Sequence, residues 1–320
     1  MAAYVELEDR AVEDGPFPDC VISVRGLRMA YGAFEAVRGI DLDVRRGEVF
    51  AFLGPNGAGK TTTVEILEGF RHRTGGQVRV LGVDPGCAPS DWRRRVGVVL
   101  QECEPEPELT VEECLSLYAG YYPSARSNAE TLELVGLEAA RSVRCKQLSG
   151  GQRRRLDVAL ALIGDPELLF LDEPTTGFDP SARRAAWDLI AGLRDLGKTI
   201  FLTTHYMDEA ERLADRIAVI AGGHIVAEGS AASIGERMHK EATVRFTLPI
   251  GMAATELPAS LAAAVTVETE GSIQAMTKGP LEFVRILAAW ASERQLDLPD
   301  LEITRPTLED IYLELTETSQ

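Results

Sequence analysis

A glycine-rich segment directly after a short apolar run constrains this chain more than any other part of its sequence. The run Val49–Leu53 is apolar without alternation, which is typical of a buried strand. The segment after it reads Gly54, Pro55, Asn56, Gly57, Ala58, Gly59, Lys60, Thr61 and Thr62. Glycines allow backbone angles that bring successive N–H groups to a phosphate, and a lysine adds a compact positive charge for the β and γ phosphates. We therefore predict a phosphate-binding loop rather than a glycine-rich turn without a ligand.

The loop leads into a predicted helix from about Lys60 to Glu68. The positive end of the helix dipole would then point at the bound phosphates. Thr61, in the first turn, would place a hydroxyl where a Mg²⁺ ion needs an oxygen ligand. These features predict ATP and Mg²⁺ as the ligands of this segment.

Two acidic residues end a second apolar run, Leu168–Leu171. Asp172 would lie at the carboxyl edge of the sheet, where ligands bind in open α/β sheets. We predict that Asp172 helps to hold Mg²⁺ and that Glu173 acts as general base on the attacking water. An Asp–Glu pair at a strand end can also be ordinary surface polarity, but the phosphate loop upstream favours the catalytic interpretation.

A third motif lies between these two segments. Leu148 is followed by Ser149, Gly150, Gly151 and Gln152, and a helix is predicted from about Gln152 to Ile163. A serine and glycines before a helix leave N–H groups and a hydroxyl available for another phosphate. An ordinary serine cap is the alternative, and the position of the motif upstream of Asp172 favours phosphate binding.

With these three motifs in this order, residues from about 21 to 235 resemble the nucleotide-binding subunits of ATP-binding-cassette (ABC) transporters. The resemblance implies an α/β fold, the P-loop NTPase cassette, with a mostly parallel sheet, a helical subdomain at about 104–163 and a small antiparallel sheet. It also implies ATP hydrolysis in a head-to-tail dimer, in which the Ser149 motif of one copy closes over the ATP of the second copy. A separate membrane permease would be the third partner.

The same resemblance implies roles for single residues. Tyr31 resembles the aromatic residue that stacks on adenine, although an isolated tyrosine could equally be an ordinary core or surface residue. Gln101 resembles the glutamine that contacts Mg²⁺ and water, and His205 the histidine that contacts the γ-phosphate. Asp179 resembles the loop residue that crosses to the partner subunit, with Phe178 before it where the family usually has leucine.

Beyond about residue 240 the cassette motifs stop, and residues 241–320 are predicted to form a small α+β domain. Strands are predicted at about 242–248, 265–269, 273–277 and 300–304, and a helix at 282–294. The segment Arg305–Leu315 resembles the closing segment of daunorubicin-resistance-type (ABC-2) exporter ATPases. This resemblance implies export of a drug, lipid or other amphipathic compound. A role in dimerisation or regulation and a simple docking helix both stay open for this segment.

Composition limits the location and the partners of the chain. No apolar run reaches the length of a membrane span, and the acidic residues 1–20 predict a loose tail rather than a secretory signal. We expect a cytoplasmic protein held at the inner face of the cell membrane by its permease. The net charge of −17 argues against bulk nucleic-acid binding. The alternatives are a soluble ABC ATPase acting on ribosomes or DNA, and a regulatory module that binds ATP without hydrolysis.

An acidic stretch follows Gln101, with glutamates at 102, 104, 106, 108, 112 and 113. Pro105 and Pro107 predict that this stretch is not helical. It can be a solvated loop or an acidic rim beside the groove where a permease helix docks.

Overall fold

The computed structural model describes residues 20–99, 105–237, 242–249, 251–269, 271–298 and 300–304. The chain divides into two compact units that meet in sequence at Glu228 and Gly229. The predicted domain boundaries, at residues 20, 235 and 241, stay predictions. The acidic tail, Gln101 and the closing segment Arg305–Leu315 lie outside the described residues. No helix in the described part of the chain is long and apolar enough to cross a bilayer.

The larger unit alternates strands and helices, as predicted. Its strands are β1 Cys20–Tyr31, β2 Phe34–Arg45, β3 Val49–Leu53, β4 Gly75–Val80, β5 Val96–Val99, β6 Leu168–Asp172, β7 Thr199–Thr204, β8 Arg216–Ala221 and β9 His224–Gly229. Its helices are α1 Lys60–Leu67, α2 Ser90–Arg93, α3 Val111–Ala119, α4 Asn128–Val135, α5 Gly150–Leu162, α6 Pro180–Asp195 and α7 Met207–Leu213.

A six-stranded sheet in the order β5-β6-β7-β3-β8-β9 forms the centre of this unit. β3 pairs in parallel with β7 and β8, and β6 pairs in parallel with β5 and β7. Because β3 is buried along its whole length, it reads as a continuous apolar run. Phe201 of β7 packs on Phe50 and Phe170 of the neighbouring strands, with 5.6 Å between ring centres in each pair. This packing brings the carboxyl ends of β3, β6 and β7 to one edge of the sheet.

A smaller antiparallel sheet, in the order β2-β1-β4, completes the α/β cassette fold. β1 and β2 form a hairpin in which Tyr31 pairs with Phe34. Apolar residues of β1 and β2, such as Val24 and Leu42, share one core with Phe50 and Phe52 of β3. The predicted small antiparallel sheet is therefore present, and Tyr31 lies at the turn of its hairpin.

The helical segment between β5 and β6 contains α3, α4 and α5. The prediction that the acidic stretch is not helical is wrong for Glu112 and Glu113, which form the first turn of α3. The physical reason is a capping box, in which the side chains of Thr110 and Glu113 each accept from the other residue's backbone N–H group. The helix therefore begins at Val111, three residues after the last glutamate that adjoins a proline. Nζ of Lys146 donates to Oε1 of Glu108 at 2.7 Å. These internal partners favour a structural role for the acidic stretch over a permease-docking rim.

The smaller unit is an α+β domain, as predicted. Its elements are α8 Ala231–Arg237, β10 Ala242–Thr247, α9 Ala259–Ala262, β11 Val265–Thr269, β12 Ser272–Thr277, α10 Pro280–Glu293 and β13 Glu302–Thr304. The four strands form one sheet in the order β11-β12-β10-β13. Phe283, Leu287 and Trp290 repeat at helical spacing along α10 and are buried in one core with Phe246 of β10.

Candidate active site

The predicted phosphate loop connects β3 to α1, and two of its positions require glycine. A Cβ atom on Gly54 would lie 2.5 Å from the carbonyl oxygen of Ile220. Gly59 has a φ of +106°, and a Cβ atom there would lie 2.6 Å from the carbonyl oxygen of Ala36. The loop therefore packs closely against neighbouring backbone, which holds its N–H groups in place. Asn56 and Gly57, at the tip, are exposed to solvent.

Lys60 is the first residue of α1 and its side chain is only 6% exposed. Its Nζ donates to the carbonyl oxygens of Gly54 at 2.7 Å and Pro55 at 3.2 Å. The same Nζ lies 3.8 Å from Oε1 of Glu173. Burial lowers the pKa of Lys60, while Glu173 and Asp172 act in the opposite direction. The loop thus holds the lysine charge at the end of β6, where both predicted carboxylates lie.

Three threonines follow Lys60 in the first turn of α1, and one of them contacts the residue predicted to stack on adenine. Thr61 is exposed, so its hydroxyl is accessible to a ligand or an ion. Oγ1 of Thr62 lies 3.5 Å from the hydroxyl of Tyr31. Tyr31 is 41% exposed, and the guanidinium carbon of Arg71 lies 5.3 Å from the centre of its ring. Tyr31 is thus an exposed aromatic surface next to the phosphate loop, a position suited to stacking on a base.

Asp172 and Glu173 are held by a threonine that the sequence analysis did not identify. The Thr203 hydroxyl donates to Oδ1 of Asp172. The N–H of Glu173 is shared between the carbonyl oxygen of Thr203 at 3.2 Å and its Oγ1 at 3.0 Å. Glu173 has a φ of +44°, a left-handed conformation that is uncommon for glutamate and frequent at functional sites. Oγ1 of Thr176 donates to Oε2 of Glu173 at 3.0 Å, which orients the carboxylate.

His205 follows β7 and lies next to Glu173 at the same edge of the sheet. Its Nδ1 lies 3.3 Å from Oε2 of Glu173, and its side chain is one third exposed. Within the described residues, this buried nitrogen has no hydrogen-bond partner of normal geometry. The structure therefore places a cation, a carboxylate and an imidazole together, on Lys60, Glu173 and His205. This is a charge arrangement suited to a phosphate and an attacking water.

The serine motif begins α5 and faces solvent. Ser149 and Gln152 form a capping box: Oγ of Ser149 accepts from the N–H of Gln152 at 3.3 Å, and Oε1 of Gln152 accepts from the N–H of Ser149 at 3.0 Å. Ser149, Gly150 and Gln152 are exposed and Gly151 is half-buried, so this helix start is open to a ligand.

An arginine that the sequence analysis missed connects α5 to the catalytic turn. The Arg154 guanidinium donates to the carbonyl oxygens of Asp172 at 3.0 Å and Pro174 at 3.3 Å. Its position in α5, five residues after Ser149, is the sequence signal that could have identified it. A movement of the serine motif would therefore displace the backbone that carries Glu173.

Asp179 has a local structural role in addition to the interface role that the resemblance implies. It is the N-cap of α6, and its Oδ1 accepts from the N–H groups of Ser181 at 2.8 Å and Ala182 at 2.9 Å. The residue is exposed, as an interface position requires in a single chain. Gln101 cannot be placed, because it lies outside the described residues.

Two buried carboxyl groups near the site were not predicted. Glu68 follows α1 and is 8% exposed; burial, with Asp172 and Glu65 adding to it, raises its pKa to about 8. Glu209, on α7, is fully buried. The signal for Glu68 was an acidic residue next to the apolar Ile66 and Leu67, and Glu209 gave no comparable signal.

Known proteins resemble this chain over nearly its whole length. The daunorubicin/doxorubicin resistance ATP-binding protein DrrA of Streptomyces peucetius is 38% identical over 309 residues, which cover 93% of this chain and 93% of that protein. The chain belongs to the ABC transporter family, as an ATP-binding subunit. The sequence model of the ABC transporter family matches residues 37–176 of this ABC ATPase. A second one, described as the C-terminal domain of ABC transporter domain-containing proteins, matches residues 242–307.

Two further similarities support the assignment of this ABC subunit. The Nod factor export ATP-binding protein I of Rhizobium meliloti is 38% identical over 317 residues, covering 94% of this chain and 90% of that protein. The solved dimeric structure of the ATP-binding cassette MJ0796 in a post-hydrolysis state, bound to ADP and Pi, covers 65% of this chain and 98% of its own, with 26% identity and a TM-score of 0.58. The predicted fold class, the ATPase activity and ATP as ligand are thereby confirmed for the family to which the chain belongs.

Proposed function

We propose that this ABC ATPase powers the export of a drug, lipid or other amphipathic compound through a separate membrane permease. The observation that carries the proposal is the convergence of Lys60, Glu173 and His205 at the end of β6, in a chain that matches export ATP-binding proteins over nearly its full length. The relatives reported above give no support to the alternative of an ATPase acting on ribosomes or DNA.

In this proposal the triphosphate lies on the loop Gly54–Thr62, with its γ-phosphate at Lys60. Tyr31 stacks on the adenine. Glu173 accepts a proton from the attacking water, and His205 contacts the γ-phosphate while the reaction proceeds. Gln101 completes the set by resemblance alone. Hydrolysis then depends mainly on positioning and on neutralisation of the phosphate charge.

Mg²⁺ fits the residues at this site. The Thr61 hydroxyl, the Asp172 carboxylate and, by resemblance, Gln101 offer oxygen atoms, the donors that Mg²⁺ prefers. In the described part of the chain, no group of three His, Cys, Asp or Glu side chains could hold a metal alone, so the phosphate oxygens would supply the remaining ligands. When bound, the ion would neutralise charge on the β and γ phosphates.

We propose a head-to-tail dimer because the serine motif is open to solvent at a helix start. In the dimer, Ser149 and the N–H groups of Gly150 and Gly151 would bind the γ-phosphate that the partner's Lys60 holds. Asp179 would cross the same interface. The solved cassette MJ0796, which is dimeric, supports the pairing as a property of the fold.

The export role is tested by expressing the chain with the membrane protein that copurifies with it. Reconstituted into vesicles, the complex is expected to hydrolyse ATP faster when the cargo is present and to accumulate cargo on the side opposite the ATPase. The matched Glu173→Gln complex should assemble but show neither effect. A chain that copurifies with ribosomes instead of a membrane protein would contradict the proposal.

A further inference from the structure

Glu209 is a buried acid that has no role in the chemistry proposed above. It lies in the first turn of α7 with 0% of its surface exposed. A buried carboxyl group costs free energy unless hydrogen bonds compensate for its lost hydration. Its contacts therefore indicate why the position holds a glutamate.

Three side chains from three different segments surround this carboxyl group. Nε1 of Trp187, on α6, donates to Oε1 of Glu209 at 3.1 Å. The hydroxyls of Thr175 and Thr204 lower the pKa of this carboxyl group, in opposition to the larger effect of burial, which raises it. Oγ1 of Thr204 accepts from the N–H of Tyr206 at 2.9 Å, so its own proton is free to point at Glu209.

Two of these partners are close in sequence to the residues proposed to act on ATP. Thr204 directly precedes His205, and Thr175 follows Glu173 by two residues. The carboxyl group of Glu209 thus lies between the segment that carries the imidazole and the turn that carries the general base.

The contact with Thr175 is incomplete in this state of the chain. Oε2 of Glu209 and Oγ1 of Thr175 are both buried, and neither has a hydrogen-bond partner of normal geometry among the described residues. Because unsatisfied buried polar atoms are costly, a small movement of the Thr175 turn that joins them would be favourable. Dimer closure at Asp179, four residues further along the chain, could supply that movement.

A second contact path joins α6 to the histidine. The guanidinium carbon of Arg183 lies 4.3 Å from the ring centre of Tyr206, and the ring centres of Tyr206 and His205 are 4.0 Å apart. Since Asp179 caps the helix that carries both Arg183 and Trp187, the proposed interface loop and His205 are mechanically connected through α6 and α7.

We propose that Glu209 is a positioning residue that holds His205 in its working place against Glu173, through Thr204 on one side and Thr175 and Trp187 on the other. The inference rests on the proposed function, because it assigns Glu209 an effect on ATP turnover. Glu209 does not touch the nucleotide, so its effect should appear in kcat and leave KM for ATP unchanged.

The test is a double-mutant cycle on the purified full chain, with steady-state ATP hydrolysis as the readout. Glu209→Ala is expected to lower kcat by about tenfold or more, since small misplacements of reacting groups have effects of this size. In a His205→Ala background the same substitution should change kcat by less than about twofold, because the residue through which it acts is already gone. Glu209→Gln can accept from Trp187 and Thr204 through its amide oxygen and donate to Thr175 through its NH₂ group, and should retain at least half of kcat.

A second pair of variants keeps the proposal testable if Glu209→Ala does not fold. Thr175→Val replaces the hydroxyl with a methyl group and should lower kcat, whereas Thr175→Ser keeps the hydroxyl and should not. Glu211→Gln, an exposed acid on the same helix, is the control for charge. Equal losses from Glu209→Ala, or from Thr175→Val, with and without His205 would overturn the proposal, as would a Glu209→Gln variant no more active than Glu209→Ala. A wild-type chain without ATPase activity would instead contradict the proposed function.

Discussion

Nζ of Lys60 lies 3.8 Å from Oε1 of Glu173, and both side chains are largely buried. The residue proposed to bind phosphate and the residue proposed to activate water are thus ion-pair partners. In such a pocket opposite charges stabilise each other strongly, because water screens them little. The γ-phosphate must compete with Glu173 for the lysine charge, so substitutions of the two residues should have opposite effects on ATP affinity.

Glu173→Gln should leave ATP binding intact or tighten it, because the neutral amide competes less for Lys60. Loss of the general base should reduce turnover by about 100-fold or more. We expect equilibrium binding to show ATP affinity at least as high as that of the wild type, and phosphate release to show slow turnover. The variant should be dimeric when ATP is bound. Turnover near the wild-type rate would remove Glu173 from the role of base.

Lys60→Ala should weaken ATP binding by about tenfold or more, the typical loss for one hydrogen bond to a charged group. Titration with a fluorescent ATP analogue measures this effect, and circular dichroism checks that the variant is folded. The matched control is Lys146→Ala, which removes an exposed ammonium that pairs with Glu108. Equal affinities for Lys60→Ala and the control would contradict the assignment of Lys60.

Ser149→Arg tests the head-to-tail dimer separately from nucleotide binding. In a Glu173→Gln background, each monomer should still bind ATP, since the loop and Tyr31 are unchanged. The bulky charge at the helix start should abolish ATP-dependent dimers, measured by light scattering. Ser142→Arg, at another exposed serine of the helical segment, should leave dimerisation unchanged. Dimers that form equally well in both variants would place the serine motif outside the interface.

Glu68 predicts a pH dependence of stability. Its pKa is raised by burial from 4.5 to about 8, so the folded chain holds this proton more tightly than the unfolded chain. This proton therefore stabilises the folded chain by an amount on the order of a few kcal/mol. The stabilisation is fully present below about pH 4.5, declines as pH rises and is lost above about pH 8. Glu68→Gln cannot ionise, so its advantage over the wild type should grow from pH 6 to pH 9.

Thermal unfolding of both chains, without nucleotide and with a chelator, measures that difference. Parallel pH profiles for the two chains would mean that burial does not raise the pKa of Glu68 in the folded state.

The parts of the site that could be predicted are those coded by neighbouring residues. Val49–Leu53 and the loop after it combine a buried strand, glycines and a lysine in one continuous stretch, so their local geometry follows from residue type. The position of Asp172 at the end of β6 was predictable for the same reason, because the carboxylates follow directly on a buried apolar strand. Pro180 after the capping Asp179 likewise marked the start of α6.

The remainder depends on contacts between segments far apart in sequence. Thr203, Arg154 and Glu209 act on the site across β7, α5 and α7, and no local pattern distinguishes them from ordinary strand or helix residues. Pro105 and Pro107 disfavour a helix, but they lie before the Thr110 capping box, which begins α3 at Val111. Gln101 and the segment Arg305–Leu315 stay predictions, since they lie outside the described residues.

The solvent-exposed start of α5 has a consequence for ATP consumption in a cell that makes this protein. An isolated subunit offers its serine motif to water and cannot complete a site by itself if the partner's copy is required. We expect the hydrolysis rate per subunit to fall on dilution, roughly in proportion to the paired fraction. Unpaired copies would then hold ATP without hydrolysing it, and hydrolysis would begin only where two subunits meet.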